Sequence, residues 1–260
     1  MTIKQSENCK KSNLKVIDRD VIKYIAVIPM IIGHMVAWFQ ENNILNSDTV
    51  WTVLAAIALF APPVFFFSIS DGYIFTRSKK QYALRLLIFA VITQIPFALA
   101  SYGTLFTLEA IRNLNIFFTL LAGLLAIIVW ESNAKLITRI IGIVLIDALT
   151  VVLGCEWMIF GVPIILGMHI FRDAPKKRFI FFAVCTIATQ FITWGMNVFI
   201  LLSSGFIAGT LSMFASYFFR TTFYNGKKGK HPVFAKWFFY IVYPLHFTVI
   251  YILIMIFQSK

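Results

Sequence analysis

Charge is scarce in this chain. Only 13% of its residues are Asp, Glu, Lys or Arg, and just 11 are acidic. With a mean hydropathy of +0.83, that excludes an ordinary soluble globule. Cysteine is scarce too. Cys9, Cys155 and Cys185 share no ligand spacing and form no CxxC pair, so they read as free thiols and give little support to a metal site or a disulfide framework. The short, alternating strands of a membrane barrel are missing, since the apolar runs are near-continuous over about 17–25 residues. No cleavable signal peptide is evident: the first apolar stretch is too long and no A-x-A-like site follows it. No convincing internal repeat is present.

What fills the chain instead is apolar: 60% hydrophobic residues, 28 of them Phe. The sequence predicts an all-α, polytopic transmembrane helical bundle, with a polar N-terminal segment at residues 1–20 and a single membrane domain at 21–257. About nine spans are expected, at residues 21–39, 51–75, 83–101, 113–130, 136–153, 157–171, 179–196, 198–219 and 237–257. The turn within 179–219 is expected near Trp194-Gly195 or near Ser203-Ser204-Gly205. Pro62-Pro63 should kink or break the second span.

A net charge of +12 would suggest nucleic acid in a soluble protein, but here the basic residues read as topology signals. Lys4, Lys10, Lys11, Lys15, Arg19 and Lys23 open the chain. Arg77, Lys79, Lys80 and Arg85 follow, then Lys135 and Arg139, then Arg172, Lys176, Lys177 and Arg178, then Arg220, Lys227, Lys228, Lys230 and Lys236. Of 23 basic residues, only Arg112 and Lys260 fall on the other face. The positive-inside rule makes the crowded face cytoplasmic. Nine spans in a cell membrane then put the N-terminus inside and the C-terminus outside.

Four polar groups interrupt the spans at similar depth: His34, Gln94, Asp147 and His246. Asp at a helix centre costs roughly 2.5–3.5 kcal/mol on insertion scales, so several such groups at one level suggest a site. Helical rise puts His246 near the midplane, Gln94 and Asp147 about 3–4 Å beyond it, and His34 about 6 Å beyond. Asn115 falls near the outer end of its helix and Asp71 near the inner end of the second span. Each group also has a structural role open to it, as an interhelical hydrogen bond or a topology signal. His169 and His231 are given no role. Two functional classes fit. One is acyl transfer, with a His as general base and Arg and Lys holding the phosphates of an acyl-CoA. The other is a proton-coupled small-molecule transporter.

Four stretches resemble the TraX family, integral membrane proteins named for the acetylase of conjugative pilin. They are Ile22-Lys23-Tyr24-Ile25-Ala26 running to Met30 and His34-Met35; Asp71-Gly72-Tyr73, Thr76-Arg77-Ser78, Lys80, Tyr82, Arg85-Leu86-Leu87 and Gln94-Ile95-Pro96-Phe97; Asn115-Ile116-Phe117-Phe118-Thr119-Leu120 with Gly123-Leu124; and Tyr224-Asn225-Gly226, Gly229, Phe239-Tyr240 and Tyr243-Pro244-Leu245-His246. They keep the family order from residue 22 to 246. Two departures stand out. Gly33 precedes His34 where the family carries Asp; if that Asp orients the His, this chain has lost or replaced it. Residues 58–63 keep only the proline of a G-R-x-x-x-P stretch.

The resemblance implies an integral membrane acetyltransferase that moves acetyl from cytoplasmic acetyl-CoA to an amine or hydroxyl, with the N-terminus of a pilin-like peptide as leading acceptor. His34 is the first candidate for general base. His246 is the second, as base or as donor to the developing oxyanion. Gln94, Asn115, Asp147 and Tyr243 are candidates for orienting substrate. Asp71, Arg77, Lys79, Lys80 and Arg85 are candidates for the acetyl-CoA site, with Arg77 and Arg85 facing one groove if their helix begins near Arg77. No metal and no nucleic acid are expected; the lipid bilayer is the expected surrounding. Direct transfer is expected rather than an acyl-enzyme, since no Cys or Ser adjoins either central His in sequence.

Overall fold

A computed structural model describes residues 14–45, 47–195, 199, 201, 203–227 and 229–259. Cys9, Lys4, Lys10, Lys11, Lys228, Lys260 and most of the polar N-terminal segment lie outside the described residues. The helices, in chain order, are α1 (Arg19–Glu41), α2 (Asp48–Ala58), α3 (Ala61–Phe75), α4 (Lys79–Tyr102), α5 (Leu108–Arg112), α6 (Ile116–Trp130), α7 (Leu136–Val152), α8 (Gly161–Ile170), α9 (Pro175–Thr193), α10 (Ser204–Phe223) and α11 (Pro232–Gln258). Among the described residues there is no strand, only an isolated bridge between Ile17 and Tyr224. The protein is an all-α membrane-embedded bundle. Among the described residues, five segments are long and apolar enough to cross a bilayer: Arg19–Glu41, Asp48–Phe75, Lys79–Tyr102, Leu108–Trp130 and Val233–Gln258.

Each of the nine expected segments contains a helix, but the sixth is short. At 1.5 Å per residue, α8 covers only about 15 Å, half the hydrocarbon thickness. The preceding residues 153–160 are turns. The second expected span is broken where its prolines predicted: α2 ends at Ala58, and Pro62 and Pro63 occupy the first turn of α3, where a missing N–H costs nothing. Between α9 and α10 both suggested turn sites are used, for α9 stops at Thr193 and Ser203 caps α10.

Two helices organise the packing. α3 touches α1, α6, α8 and α10, while α6 touches α3, α4, α7 and α8. α11 closes the remaining side against α4 and α1, and α7 packs mainly on α6. The Ile17–Tyr224 bridge brings the start of α1 beside the end of α10, so the basic stretches around Arg19 and Arg220 share one end of the bundle.

α1 and α2 approach unusually closely. A Cβ built at Gly33 would sit 2.2 Å from Cβ of Ala58. Gly33→Ala should therefore destabilise by about 1–3 kcal/mol through overpacking, lowering the melting temperature in detergent. Adding Ala58→Gly should restore it; a Gly33→Ala protein melting like wild type would contradict the close approach.

Candidate active site

His34 and His246 meet. They project from α1 and α11, 212 residues apart in sequence, with Nδ1 of His34 2.9 Å from Nε2 of His246. The hydrogen-bond network fixes their tautomers. Nδ1 of His246 lies 3.2 Å from the Val242 carbonyl, which can only accept, so this nitrogen carries the proton. In the neutral ring Nε2 of His246 is then an acceptor, and Nδ1–H of His34 donates to it. That leaves Nε2 of His34 with a free lone pair. His246 is 6% exposed, whereas the His34 side chain keeps 23% of its surface. His34 is therefore the ring within reach of the cavity and His246 the group behind it.

A third residue completes the arrangement, and the sequence reading did not single it out. Oε1 of Glu156 lies 3.8 Å from Nε2 of His34. Its Oε2 accepts from the Ile116 backbone N–H at 2.7 Å and from the Tyr243 hydroxyl at 3.2 Å. Glu156 comes from the turns between α7 and α8, which are clasped onto the start of α6. The Glu156 N–H donates to the Leu114 carbonyl, its own carbonyl accepts from the Thr119 hydroxyl, and the Leu114 N–H donates to the Gly154 carbonyl. A Cβ at Gly154, where φ is +58°, would lie 2.7 Å from the Arg112 carbonyl oxygen, so only glycine fits there. Trp157 and Ile159 also have positive φ, at 62° and 69°. For a β-branched residue this is a strained conformation, and such strain persists where the surroundings dictate it.

Gln94 and Asn115 hold this region together. Gln94 donates to the Asn113 carbonyl at 2.8 Å, and its Oε1 accepts from the Asn115 side chain at 2.9 Å. Asn115 also donates to the Ala90 carbonyl and caps α6 through the Phe117 N–H. Their hydrogen bonds go to backbone and to each other, and neither lines the cavity described below. They set the start of α6, and with it the Ile116 N–H that grips Glu156. Asp147 sits on α7 away from the histidines, with an Oδ1 that has no partner among the described residues.

His34, Glu156 and Tyr243 line a cavity of about 260 Å³, whose other walls are Leu59, Trp157 and residues of α1, α2, α3, α6 and α11. A second cavity, of about 280 Å³, lies toward the basic end and is lined by Arg19, Asp20, Lys23, Arg85 and Lys236. Of the expected acetyl-CoA residues, the structure brings only Arg85 to it. Arg77 lies in the loop before α4, which begins at Lys79, so the condition for a shared groove is not met. Arg77, Lys79 and Lys80 are exposed, with the Lys79 ammonium over the Tyr73 ring at 5.0 Å.

Asp71 is occupied elsewhere: its Oδ2 accepts from Arg220 at 2.6 Å, and that guanidinium lies 4.1 Å from the Phe67 ring centroid. The two side chains are 16% and 10% exposed, so removing one strands the other. Asp71→Ala should cost roughly 3–5 kcal/mol, and a variant melting like wild type would show the pair to be weak.

Cys155 adjoins Glu156, but burial, with the Glu156 charge second, pushes its thiol up to about 11. It is a poor nucleophile at neutral pH.

A family model described as TraX protein matches residues 18–254. The chain belongs to the TraX family. The match runs from the first turn of α1 to the last turns of α11, so it takes in both histidines and Glu156. The chain is also 26% identical over 250 residues to the "Probable fimbrial assembly protein FimC, serogroup H1" of Dichelobacter nodosus, covering 88% of this chain and 92% of the relative. No solved structure matches. Gly33 precedes His34, and the carboxylate beside His34 is that of Glu156.

Proposed function

We propose that this TraX protein is an integral membrane acetyltransferase, with His34 as general base, taking acetyl from acetyl-CoA. The observation that carries this is the His246–His34–Glu156 array at the wall of a mostly apolar cavity. The network leaves the His34 Nε2 lone pair free beside a carboxylate. An acceptor amine or hydroxyl in the cavity would attack the thioester carbonyl and yield its proton to Nε2. The tetrahedral intermediate collapses, the carbon–sulfur bond breaks, and the CoA sulfur leaves with the electron pair and is reprotonated by His34. Glu156 balances the imidazolium while it exists, and His246 holds the ring by accepting from Nδ1–H.

Direct transfer is favoured because no residue lining this cavity bears a thiol or an aliphatic hydroxyl. A pilin-like peptide is the favoured acceptor, supported by the family and by the printed name of the Dichelobacter relative. Mass spectrometry of membrane and surface peptides should find an acetylated N-terminus that disappears when the gene is deleted. An unchanged set of acetylated termini would count against a peptide acceptor.

In this proposal the basic end faces the cytoplasm, where acetyl-CoA is made. Single cysteines at Lys227 and Ser47 should label from opposite sides of the cell membrane. Labelling of both from outside would overturn the orientation.

A further inference from the structure

The two cavities share four wall residues, Phe65, Phe117, Leu120 and Phe239, so they lie end to end across one apolar constriction. One face of α1 runs through both. Arg19, Lys23, Val27, Met30 and His34 are spaced by three or four residues and so stack along a single helical stripe. The first two line the basic cavity and the last three line the histidine cavity. Lys23 and His34 are eleven residues apart, about 16 Å of helical rise, a distance that an extended pantetheine arm covers.

From this geometry we infer that the basic cavity binds the phosphates of the acyl-CoA donor and that the constriction carries its pantetheine arm to His34. The inference rests on the acetyltransferase reading and names the donor site within it. Four cations, Arg19, Lys23, Arg85 and Lys236, face one carboxylate in this cavity. That carboxylate is shared: the Arg19 Nε and the Lys23 ammonium both approach the same oxygen of Asp20, at 3.3 and 3.8 Å. The Arg85 guanidinium hydrogen-bonds the Tyr240 side chain and lies 5.8 Å from the Tyr82 ring centroid, while its Nε has no hydrogen-bond partner among the described residues. A buried, unpaired guanidinium nitrogen is costly unless an anion meets it, and phosphate is the anion its planar fork fits. The shared wall is apolar, which matches an unbranched arm rather than a second charged group. A phospholipid offers the same phosphate chemistry, and the test below separates the two.

The test uses full-length protein in detergent and three probes: CoA, adenosine 3′,5′-bisphosphate and short-chain phosphatidic acid. CoA and the bisphosphate should bind. The double variant Arg85→Gln/Lys236→Gln should weaken both at least tenfold, while Arg77→Gln/Lys80→Gln should leave both unchanged. Leu120→Trp should weaken CoA well beyond the bisphosphate, because it fills the wall shared by the two cavities, where only the arm passes. Phe65→Trp is the second block should Leu120→Trp fail to fold, as judged by its melting curve. Undiminished CoA binding in the Arg85/Lys236 variant would overturn the site, as would phosphatidic acid binding without CoA. Equal loss of both nucleotides in a folded constriction variant would overturn the passage. CoA binding with no acetyl transfer by wild type would sink the acetyltransferase reading and leave the donor site standing. Transfer that persists at low acetyl-CoA in the Arg85/Lys236 variant would do the reverse.

Discussion

His34→Ala should abolish acetyl transfer while the protein still folds in the membrane. Loss of a positioned general base costs about 10²–10⁴ in rate. Loss of an intramembrane hydrogen bond that serves only packing costs about 1–2 kcal/mol of stability and leaves turnover intact. The two roles are thus separable in one protein, by rate and by melting temperature. The tautomers sharpen the prediction. Because His246 is the more buried and presents its lone pair to His34, not to the cavity, His246→Ala should reduce turnover less than His34→Ala. Equal turnover in His34→Ala and wild type would make the pair structural. A larger loss in His246→Ala would reverse the assignment of base and support.

Glu156→Gln should lower kcat by roughly thirty-fold while leaving the Michaelis constant for acetyl-CoA near that of wild type. At 3.8 Å the carboxylate is placed to balance a protonated His34. Coulomb attraction at that range is about 4 kcal/mol for an effective dielectric of 20, and on the order of 2 kcal/mol after discounting for partial exposure. Glutamine keeps an oxygen for the Ile116 N–H and the Tyr243 hydroxyl, so the loop should stay in place. Glu156→Asp should recover part of the loss. If Glu156 only staples the loop, Glu156→Gln would leave kcat unchanged and Glu156→Ala would lower the melting temperature instead.

How far the sequence carried this reading depends on where each residue sits. His34 and His246 were legible because a polar group inside an apolar helix is expensive and demands a reason, whereas Tyr243 stood out only through the family resemblance. The helices were legible from apolar run lengths, and the break before α3 from Pro62-Pro63. Glu156 was not singled out, because a carboxylate in a short turn between apolar stretches looks like ordinary solvated charge. Only the pairing of α6 with those turns brings it inward. A signal for it did exist: Gly33 leaves His34 without a neighbouring acid, and Glu156 is the sole acidic residue between positions 148 and 172.

Gln94 and Asn115 are expected to orient substrate, yet their partners are backbone carbonyls and each other, which spacing alone does not reveal. Of Asp71, Arg77, Lys79, Lys80 and Arg85, which the family resemblance offers for acetyl-CoA, only Arg85 lines the basic cavity; Arg77, Lys79 and Lys80 are exposed. Arg19 and Lys23 lie instead on the same face of α1 as His34, a register readable from their spacing once the face that carries the site is known.

On the proposed function, one cavity wall carries a working base for acetyl transfer. The direct measurement is to incubate purified protein, in nanodiscs, with acetyl-CoA labelled in the acetyl group, following free CoA and the label together. Wild type should release CoA and pass the label to a peptide N-terminus or, lacking one, to water, and His34→Ala should do neither. No CoA release above the protein-free rate, under conditions where the wild-type protein is folded, would contradict the account.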